Sequence, residues 1–302
     1  MGSIVVLGVF VADTTFRAER MARMGETILG KSFSLGPGGK GSNQAVAAAR
    51  MGGEVSILTK LGQDDFADMA LQLWADAGVT PHVEQLADSY TGAANIFIED
   101  ASGDNAIIVA PGAGATICAA DMDRAGDIIR SASVFMTQLE QPMAAAMRAL
   151  EIAKEAGVTT ILNPAPSAIL PKGMLALCDY VTPNETEACE LTGVGVASIE
   201  QANQASVILQ DQGVGTPIIT LGERGAYLHG HGLLPAVNAG PVVETTGAGD
   251  AFNGAFASEL AAGRDPVQAV RFGCAAAGIS VTRPGAAASM PMRAEVEALM
   301  GR

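Results

Sequence analysis

Residues 246–250 (TGAGD) place two glycines and a carboxylate directly before an apolar run at 251–257 that predicts a helix. Glycine has no Cβ, so it lets the backbone turn tightly and brings bare N–H groups close to a ligand. A helix start adds unpaired N–H donors and a partial positive charge, which suit a phosphate group or a developing anion. The carboxylate at that position, Asp250, can accept a proton from an alcohol. The segment therefore predicts phosphoryl transfer to a hydroxyl group.

A second glycine cluster occupies residues 36–43 (GPGGKGSN) and fits the GxGxxG spacing at Gly36, Gly38 and Gly41. As a dinucleotide-binding fingerprint it is weak, because it does not follow the first predicted strand and no acidic residue ends a second strand about 20 positions later. It also fails as a phosphate-binding P-loop, because Gly41 stands where Ser or Thr should follow the Gly-Lys pair. The better interpretation is a backbone platform for a polar substrate, with Lys40 and Asn43 donating to its hydroxyl groups.

Three further polar turns follow predicted strands: residues 163–166 (NPAP), 184–187 (NETE) and 220–225 (TLGERG). Taken alone, Asn184 with acidic residues in the next turn predicts an ordinary helix cap. In a parallel sheet, however, the carboxyl ends of the strands meet at one edge, where ligands bind. Polar turns after several strands therefore favour a shared binding site.

Short apolar strands alternate with helices along most of the chain, which indicates βαβ units and an α/β fold with a mostly parallel central sheet and helices on both faces. Residues 14–36 and 91–110 interrupt this alternation. We expect both segments to form a small second sheet, a lid; the alternative is a pair of surface excursions. The predicted domains are a core of residues 1–13, 38–90 and 109–302 and a lid of residues 14–37 and 91–108.

The composition restricts the partners and the compartment. The chain has 302 residues and a net charge of −14, which argues against nucleic acid and anionic membranes as partners. It has no apolar run near the ~20 residues of a membrane span and no basic segment before its first apolar run, so we expect a cytoplasmic protein. The four cysteines lack metal-site spacing and are expected to be free thiols. His229 and His231 fit a hairpin tip better than a metal pair.

Five motifs together carry a resemblance to a known family. They are residues 38–47 (GGKGSNQAVA), 138–140 (QLE), 163–166 (NPAP), 182–187 (TPNETE) and 247–254 (GAGDAFNG). In this order they resemble the ribokinase-like (PfkB-type) carbohydrate kinases, over nearly the whole chain. The resemblance implies a three-layer α/β/α sandwich with a mostly parallel central sheet and a small β-sheet lid. It also implies an ATP-dependent kinase that phosphorylates the primary 5-hydroxyl of D-ribose with the help of Mg²⁺.

The resemblance also implies roles for individual residues. Asp250 is the implied base, and the backbone N–H groups of Gly247, Ala248 and Gly249 form the implied anion hole. Asn184 and Glu187 are implied to hold Mg²⁺ through water. The sugar is implied to contact Asp13, Gly38, Gly39, Lys40, Asn43, Glu140 and Asp250. The nucleotide groove is implied to include Asn184, Thr220, Gly222, Gly225, Gly249, Asn253 and Cys274.

Two positions depart from the pattern of the family. Its members often hold a monovalent cation such as K⁺ beside the anion hole, and Glu244 stands here in place of the usual aspartate. The other implied contacts of that cation are Thr246, Ser280, Arg283, Gly285 and Ser289. Val11 stands where an asparagine usually lies two residues before Asp13, and the loss of a polar group can alter which hydroxyl is recognised. The resemblance further implies a homodimer formed through the lid.

Other functions stay open from the residues alone. The substrate could be another pentose, a ketohexose, a deoxy sugar acid or a nucleoside. The glycine spacing at 36–41 leaves a nicotinamide-dependent oxidoreductase as a remote alternative. A protein that senses sugars or nucleotides without catalysis is a third, although the intact Asp250 and its neighbouring glycines argue against it.

Overall fold

A computed structural model describes residues 2–301 of the chain. The strands in this range are β1 (Ser3–Leu7), β2 (Val11–Ala18), β3 (Ser32–Gly38), β4 (Glu54–Gly62), β5 (Val79–Leu86), β6 (Thr91–Glu99), β7 (Asn105–Gly112), β8 (Val134–Thr137), β9 (Thr159–Leu162), β10 (Tyr180–Val181), β11 (Thr216–Thr220), β12 (Gly225–Leu228) and β13 (Gly232–Pro235). The α-helices in the same range are α1 (Lys40–Arg50), α2 (Asp65–Ala77), α3 (Ala119–Arg124), α4 (Gly126–Arg130), α5 (Met143–Glu155), α6 (Glu185–Thr192), α7 (Ile199–Asp211), α8 (Ala248–Ala261), α9 (Pro266–Ser280) and α10 (Arg293–Leu299).

The larger sheet has the strand order β13-β12-β11-β10-β9-β8-β1-β4-β5. Its strands are parallel from β11 to β5, and β12 and β13 add an antiparallel hairpin at one edge. Alternate side chains of β1 enter two different cores, with Ile4 and Val6 in one and Val5 and Leu7 in the other. This arrangement confirms the predicted α/β fold, in which helices cover both faces of a mostly parallel sheet.

The β12–β13 hairpin contains the two histidines that could have suggested a metal pair. They lie at the connection between the strands, and His229 Nδ1 is 2.9 Å from Ser206 Oγ. Over residues 2–301 no group of three or more His, Cys, Asp or Glu side chains is arranged to hold a metal ion. All four cysteines are free thiols, as predicted. No helix in the described part of the chain is long and apolar enough to cross a membrane.

The smaller sheet has the order β3-β2-β6-β7. The expectation that the two interrupting segments form strands of one small sheet is confirmed. The first pair, β2 and β3, lies between Val11 and Gly38, and the second pair, β6 and β7, lies between Thr91 and Gly112. Strand register places Phe16 opposite both Phe33 and Phe97, so the three rings share one face of this sheet. Asp13 lies three positions before Phe16 on β2. Because successive side chains of a strand alternate between the two faces, Asp13 lies on the opposite face.

Helices α1 and α8 cross at very short range beside the larger sheet. A Cβ at Gly254 of α8 would lie 2.5 Å from Ala47 Cβ and 2.7 Å from both Ala48 N and Gln44 O of α1. Two of these three neighbours are backbone atoms, which cannot rotate away. The absence of a side chain at Gly254 therefore sets the distance between the two helices.

We expect Gly254→Ala to destabilise the protein, although Ala is favoured over Gly inside a helix by about 1 kcal/mol. The added methyl group would push the helices apart, and overpacking of this kind costs about 1–3 kcal/mol. The free energy of unfolding, measured by urea titration, is the readout. Gly249→Ala in the same helix is the matched control, because a Cβ there meets nothing within 4 Å. A Gly254→Ala protein as stable as the wild type would contradict this account of the crossing.

Candidate active site

The candidate site lies at the carboxyl edge of the larger sheet, where the predicted polar turns meet. Glu140 follows β8, Asn163 follows β9, Asn184 follows β10, and Gly222 follows β11. These strands are adjacent and parallel in the sheet. The sequence-based prediction that the turns share one edge is therefore confirmed.

The glycine cluster at the end of β3 and the start of α1 is explained in part by close packing. A Cβ at Gly38 would lie 2.1 Å from Asp13 Oδ2, and a Cβ at Gly39 would lie 2.5 Å from Val9 O. Gly39 also has a φ of 87°, which favours glycine. A Cβ at Gly41 would lie 2.5 Å from Gly8 Cα. These glycines let α1 begin directly against the segment that joins β1 to β2, and they bring the end of β3 against Asp13.

Asp250 lies in the first turn of α8 and is 6% exposed. Its Oδ2 accepts a hydrogen bond from Asn43 Nδ2 at 3.0 Å, and its Oδ1 accepts one from Gln44 Nε2 at 2.9 Å. Burial raises the pKa of Asp250, while the charge of Lys40 and the two amide donors act in the opposite direction. A carboxylate with a raised pKa is a stronger base than an exposed one, and this one is held in a defined orientation.

Lys40 is the cation that faces the acidic groups of the site. Burial disfavours its charged form, but Asp250, Glu140 and Glu187 outweigh this effect and raise the pKa of Lys40. Burial raises the pKa of Glu140 to about 7, even though Glu140 Oε2 accepts a bond from Lys40 N at 2.7 Å. The two shifts have the same sign because burial dominates at the carboxyl group and the surrounding charges dominate at the ammonium group. Burial likewise raises the pKa of Asp13 to about 6.

Asn184 and Glu187 form the helix cap that composition alone predicted. Glu187 N donates to Asn184 Oδ1, and Asn184 N donates to Glu187 Oε2, both at 2.9 Å. Asn184 is exposed, whereas Glu187 is 9% exposed and burial raises its pKa. The cap therefore fixes one carboxylate near Lys40 and leaves an amide at the surface of the cleft.

Comparison with known proteins identifies the family to which this chain belongs. The model of the family described as "pfkB family carbohydrate kinase" matches residues 1–293. The chain belongs to this family. It is 38% identical to a ribokinase of Haemophilus influenzae over 97% of this chain and 96% of that protein, and 36% identical to a deoxyribokinase of Salmonella typhi over 95% of each. Its fold matches a structure of Arabidopsis thaliana ribokinase complexed with ribose and ATP, with a TM-score of 0.94 and 32% identity over 100% of this chain and 99% of the other.

The residues expected around the nucleotide of this pfkB-family chain separate into two groups. Thr220 and Gly222 lie at the strand end, where Gly222 is exposed. The side chains of Asn253 and Cys274 are buried instead. Asn253 Oδ1 accepts from Thr182 Oγ1 at 2.7 Å, and its Nδ2 donates to the backbone oxygen of Gly249 at 2.8 Å. Burial raises the pKa of the Cys274 thiol to about 12.

Gly225 has a structural reason for being glycine. Its φ is 110°, and a Cβ there would lie 2.1 Å from Leu234 O. The start of β12, where it pairs with the end of β13, therefore requires a residue without a side chain. This requirement is independent of any ligand.

The residues expected around a monovalent cation lie on two segments that touch. Glu244 Oε2 accepts a hydrogen bond from Gly285 N at 2.9 Å, and Glu244 N donates to Val281 O at 3.2 Å. The Ser280 and Ser289 hydroxyls donate to backbone oxygens one turn earlier, and Arg283 pairs with Glu295. Thr246 is exposed, at the start of the turn. These segments meet directly behind the turn at Gly247, because a Cβ at Gly247 would lie 3.1 Å from Ala286 Cα.

Three buried amides in this pfkB-family site were given no individual role by the sequence. Gln138 Nε2 donates to Gln44 Oε1 at 2.6 Å, and Gln44 Nε2 also donates to Asn163 Oδ1 at 3.0 Å. All three side chains are buried. The available signal is the position of Gln44, a polar residue on the helix face that is otherwise formed by small apolar residues.

We expect the stability cost of Glu140 to depend on pH. The folded protein holds the proton of Glu140 up to about pH 7, whereas the unfolded chain releases it near the ordinary value of 4.5. The folded state is therefore disfavoured progressively as the pH rises through this window. Glu140→Gln removes the effect and should raise the free energy of unfolding by about 1–3 kcal/mol at mildly alkaline pH, with no gain at acidic pH.

Urea titrations at several pH values measure this difference. Glu155→Gln, which changes an exposed glutamate at the end of α5, is the matched control and should show no such pH dependence. A constant difference between Glu140→Gln and wild type across the pH range would show that burial of the charge at Glu140 is not the cause.

Proposed function

We propose that the chain is an ATP-dependent kinase that transfers the γ-phosphoryl group to the primary 5-hydroxyl of D-ribose. The observation that carries the proposal is Asp250, fixed at the start of α8 by Asn43 and Gln44 of α1. Curated ribokinases with 38–39% identity and the neighbour solved with ribose and ATP support the choice of substrate. Membership of a carbohydrate kinase family and the place of the glycine cluster, at the end of β3 of the small sheet and the start of α1, count against the nicotinamide-dependent alternative.

In the proposed reaction, Asp250 accepts the proton of the sugar hydroxyl as its oxygen attacks the γ-phosphorus atom. The bond between the γ-phosphorus and the bridging oxygen breaks, and ADP leaves. The transferred group carries most of its charge on three oxygens, so catalysis depends on positioning and on cancelling that charge. Gly247, Ala248 and Gly249 would supply backbone N–H donors. Ala248 N bonds to Thr245 O at 3.2 Å, so this donor would exchange partners when the phosphoryl group arrives.

The sugar-binding role is supported by one buried acceptor that lacks a donor and by two carboxyl groups that burial affects. Asn43 Oδ1 is buried and has no hydrogen-bond partner within residues 2–301. Asp13 and Glu140 are carboxyl groups for which burial raises the pKa. A polyhydroxylated ligand offers several O–H donors at once, which would satisfy these groups. Sites built in this way discriminate strongly against ligands that lack a matching hydroxyl.

We propose Mg²⁺ as the metal of the reaction, with Asn184 and Glu187 as the residues that would hold it through water. The donor set fits, since Mg²⁺ keeps several waters and is held by one or two carboxylates together with substrate phosphates. When bound, Mg²⁺ would offset the negative charge of the nucleotide phosphates. Omitting Mg²⁺ should abolish ADP release, and turnover in its absence would contradict the proposal.

We propose that K⁺ binds between the segments joined by Glu244 and Gly285. A carboxylate, the Ser289 hydroxyl and several backbone carbonyls provide the oxygen ligands that hard cations prefer. The site would stiffen the turn at Gly247 from behind. Replacing K⁺ by tetramethylammonium in the assay tests this role, and equal rates in both salts would refute it.

We propose that the small sheet is a lid over the cleft and that two chains pair through its outer face. That face exposes Phe16, Phe33, Leu35 and Ile108 by 42%, 58%, 43% and 70%. A contiguous apolar patch of this kind marks an interaction surface. Sedimentation equilibrium should give a mass of about twice 30.6 kDa, whereas the monomer mass would contradict pairing. We further propose a cytoplasmic location, which free thiols and the use of ATP favour.

A second candidate substrate is a deoxy sugar. Val11 is 5% exposed and packs in a core cluster with Ala94 and Leu139, beside Asp13 and Glu140. An apolar wall at this point offers no partner to a hydroxyl group, and the similarity to a deoxyribokinase agrees with this alternative. The ratio of kcat/KM for D-ribose and 2-deoxy-D-ribose decides between the two substrates.

The central test of the proposed function is Asp250→Asn. Removing the base should lower kcat by roughly 10²–10⁴-fold, while ribose binding measured by calorimetry stays largely intact. ADP release in the presence of ribose, ATP and Mg²⁺ is the readout. Asp127→Asn is a control in the first turn of α4, where the side chain is fully exposed. Near-wild-type turnover of Asp250→Asn would overturn the assignment of the base.

A further inference from the structure

Gln44 connects the candidate base to the interior of the protein. Its side chain is 0% exposed, and Nε2 donates to Asp250 Oδ1 at 2.9 Å. Its Oε1 accepts from Gln138 Nε2 at 2.6 Å. Since only an NH₂ group can donate, the bond from Gln138 determines that the NH₂ end of Gln44, and not its oxygen, faces Asp250.

The position of Gln138 depends on the close approach of two glycines. A Cβ at Gly8 would lie 2.8 Å from Gln138 Oε1, and a Cβ at Gly41 would lie 2.9 Å from it. Gln138 Oε1 itself is buried and has no hydrogen-bond partner within residues 2–301. Turning the Gln138 amide over would set its oxygen against Gln44 Oε1, which is also an acceptor. The orientation in which Gln138 Nε2 donates to Gln44 Oε1 is therefore kept, although it leaves Gln138 Oε1 without a hydrogen-bond partner.

We propose that Gln44, oriented by Gln138, is a positioning residue for the phosphoryl transfer: it holds Asp250 Oδ1 and leaves Oδ2 as the oxygen that exchanges its partner for the sugar hydroxyl. This inference rests on the proposed function of Asp250 as base. Oδ2 is bonded by Asn43 Nδ2, whose own side chain is expected to turn to the sugar. Oδ1, in contrast, is bonded by a side chain with no access to the cleft.

The same contact affects the ionisation of Asp250. The charged groups that act on it are Lys40 at the start of α1, Glu140 after β8 and Glu187 in α6. Lys40 favours the ionised form, and the two glutamates disfavour it. Burial raises the pKa of Asp250, and the donors of Gln44 and Asn43 oppose that rise. Removing the Gln44 donor would raise this pKa further, because it stabilises only the ionised carboxylate.

The test compares kcat over a range of pH for Gln44→Met and wild type. Met has a similar shape and no donor, so kcat should fall by roughly 10- to 100-fold at neutral pH. The acid limb of the kcat profile should move up by about one to two pH units. KM for ribose should change by less than about threefold, because Gln44 does not reach the cleft. This combination differs from general damage, which lowers kcat equally at every pH.

Three further variants make the comparison decisive. Gln138→Met keeps the direct donor but releases its orientation, so its effect should lie between those of Gln44→Met and wild type. Gln44→Glu keeps the shape and sets a second acid beside Asp250, which should move the acid limb further than Gln44→Met. Gln141→Met is the matched control: Gln141 is 3% exposed, and its Nε2 donates to Thr137 Oγ1 and Gln138 O. Gln141→Met should leave the acid limb of the kcat profile where it is in the wild type.

Asp250→Asn, measured in the same series, separates the two levels of the argument. If Asp250→Asn is inactive and both Gln44 variants keep the wild-type kcat and pH profile, the positioning role is wrong and the kinase assignment stands. If Asp250→Asn turns over normally, the assignment of the base fails. If Gln44→Met and Gln141→Met lower kcat equally at every pH, Gln44 contributes only packing and the positioning role is wrong. Circular dichroism identifies a variant that does not fold, and Gln44→Glu and Gln138→Met then decide the question.

Discussion

The close crossing of α1 and α8 is the constraint on which the candidate site depends. Gly254 has no side chain to hold the helices apart at Ala47, and Asp250, one turn earlier on α8, therefore reaches Asn43 and Gln44. The start of α1 carries the groups expected to hold a sugar, and the start of α8 carries those expected to hold a phosphoryl group. Helices in a packed core move little relative to each other, so a contact to the backbone fixes the distance between the two halves of the site.

Much of the fold could be predicted because its signals are local. Apolar strands between helices predicted the parallel sheet, and the two segments that interrupt this alternation predicted the small second sheet that the structure contains. Other elements lack such signals. Only Val79 of the eight residues of β5 (VTPHVEQL) is buried, so no apolar pattern reveals this edge strand. Helices α3 and α4 have six and five residues, too few to show a helical period.

The residue types of the site could be predicted, but their partners could not. Asp250 and Lys40 stand out in the sequence by charge, whereas Gln44 is one of two neighbouring amides in α1, and the orientation of its side chain depends on Gln138, 94 positions away. The glycines show the opposite difficulty. The sequence favoured a backbone platform for a ligand at 36–43, and part of that pattern serves packing instead, since Asp13 occupies the space beside Gly38. The spacing of the glycines shows where a side chain is excluded, but only the fold shows which neighbouring atom excludes it.

Without a ligand, the candidate site is a poor arrangement for stability. Asp250, Glu140 and Glu187 all face the ammonium group of Lys40, and burial raises the pKa of all three acids. Asn43 adds a buried acceptor with no partner in the described chain. An unsatisfied buried group costs roughly 1–3 kcal/mol, a large share of a total stability of about 5–15 kcal/mol. A chain shaped for stability alone would carry neutral or apolar side chains here. Hydroxyl groups of the proposed sugar would supply the missing donors, so the ligand-bound state would be the one in which these residues are satisfied.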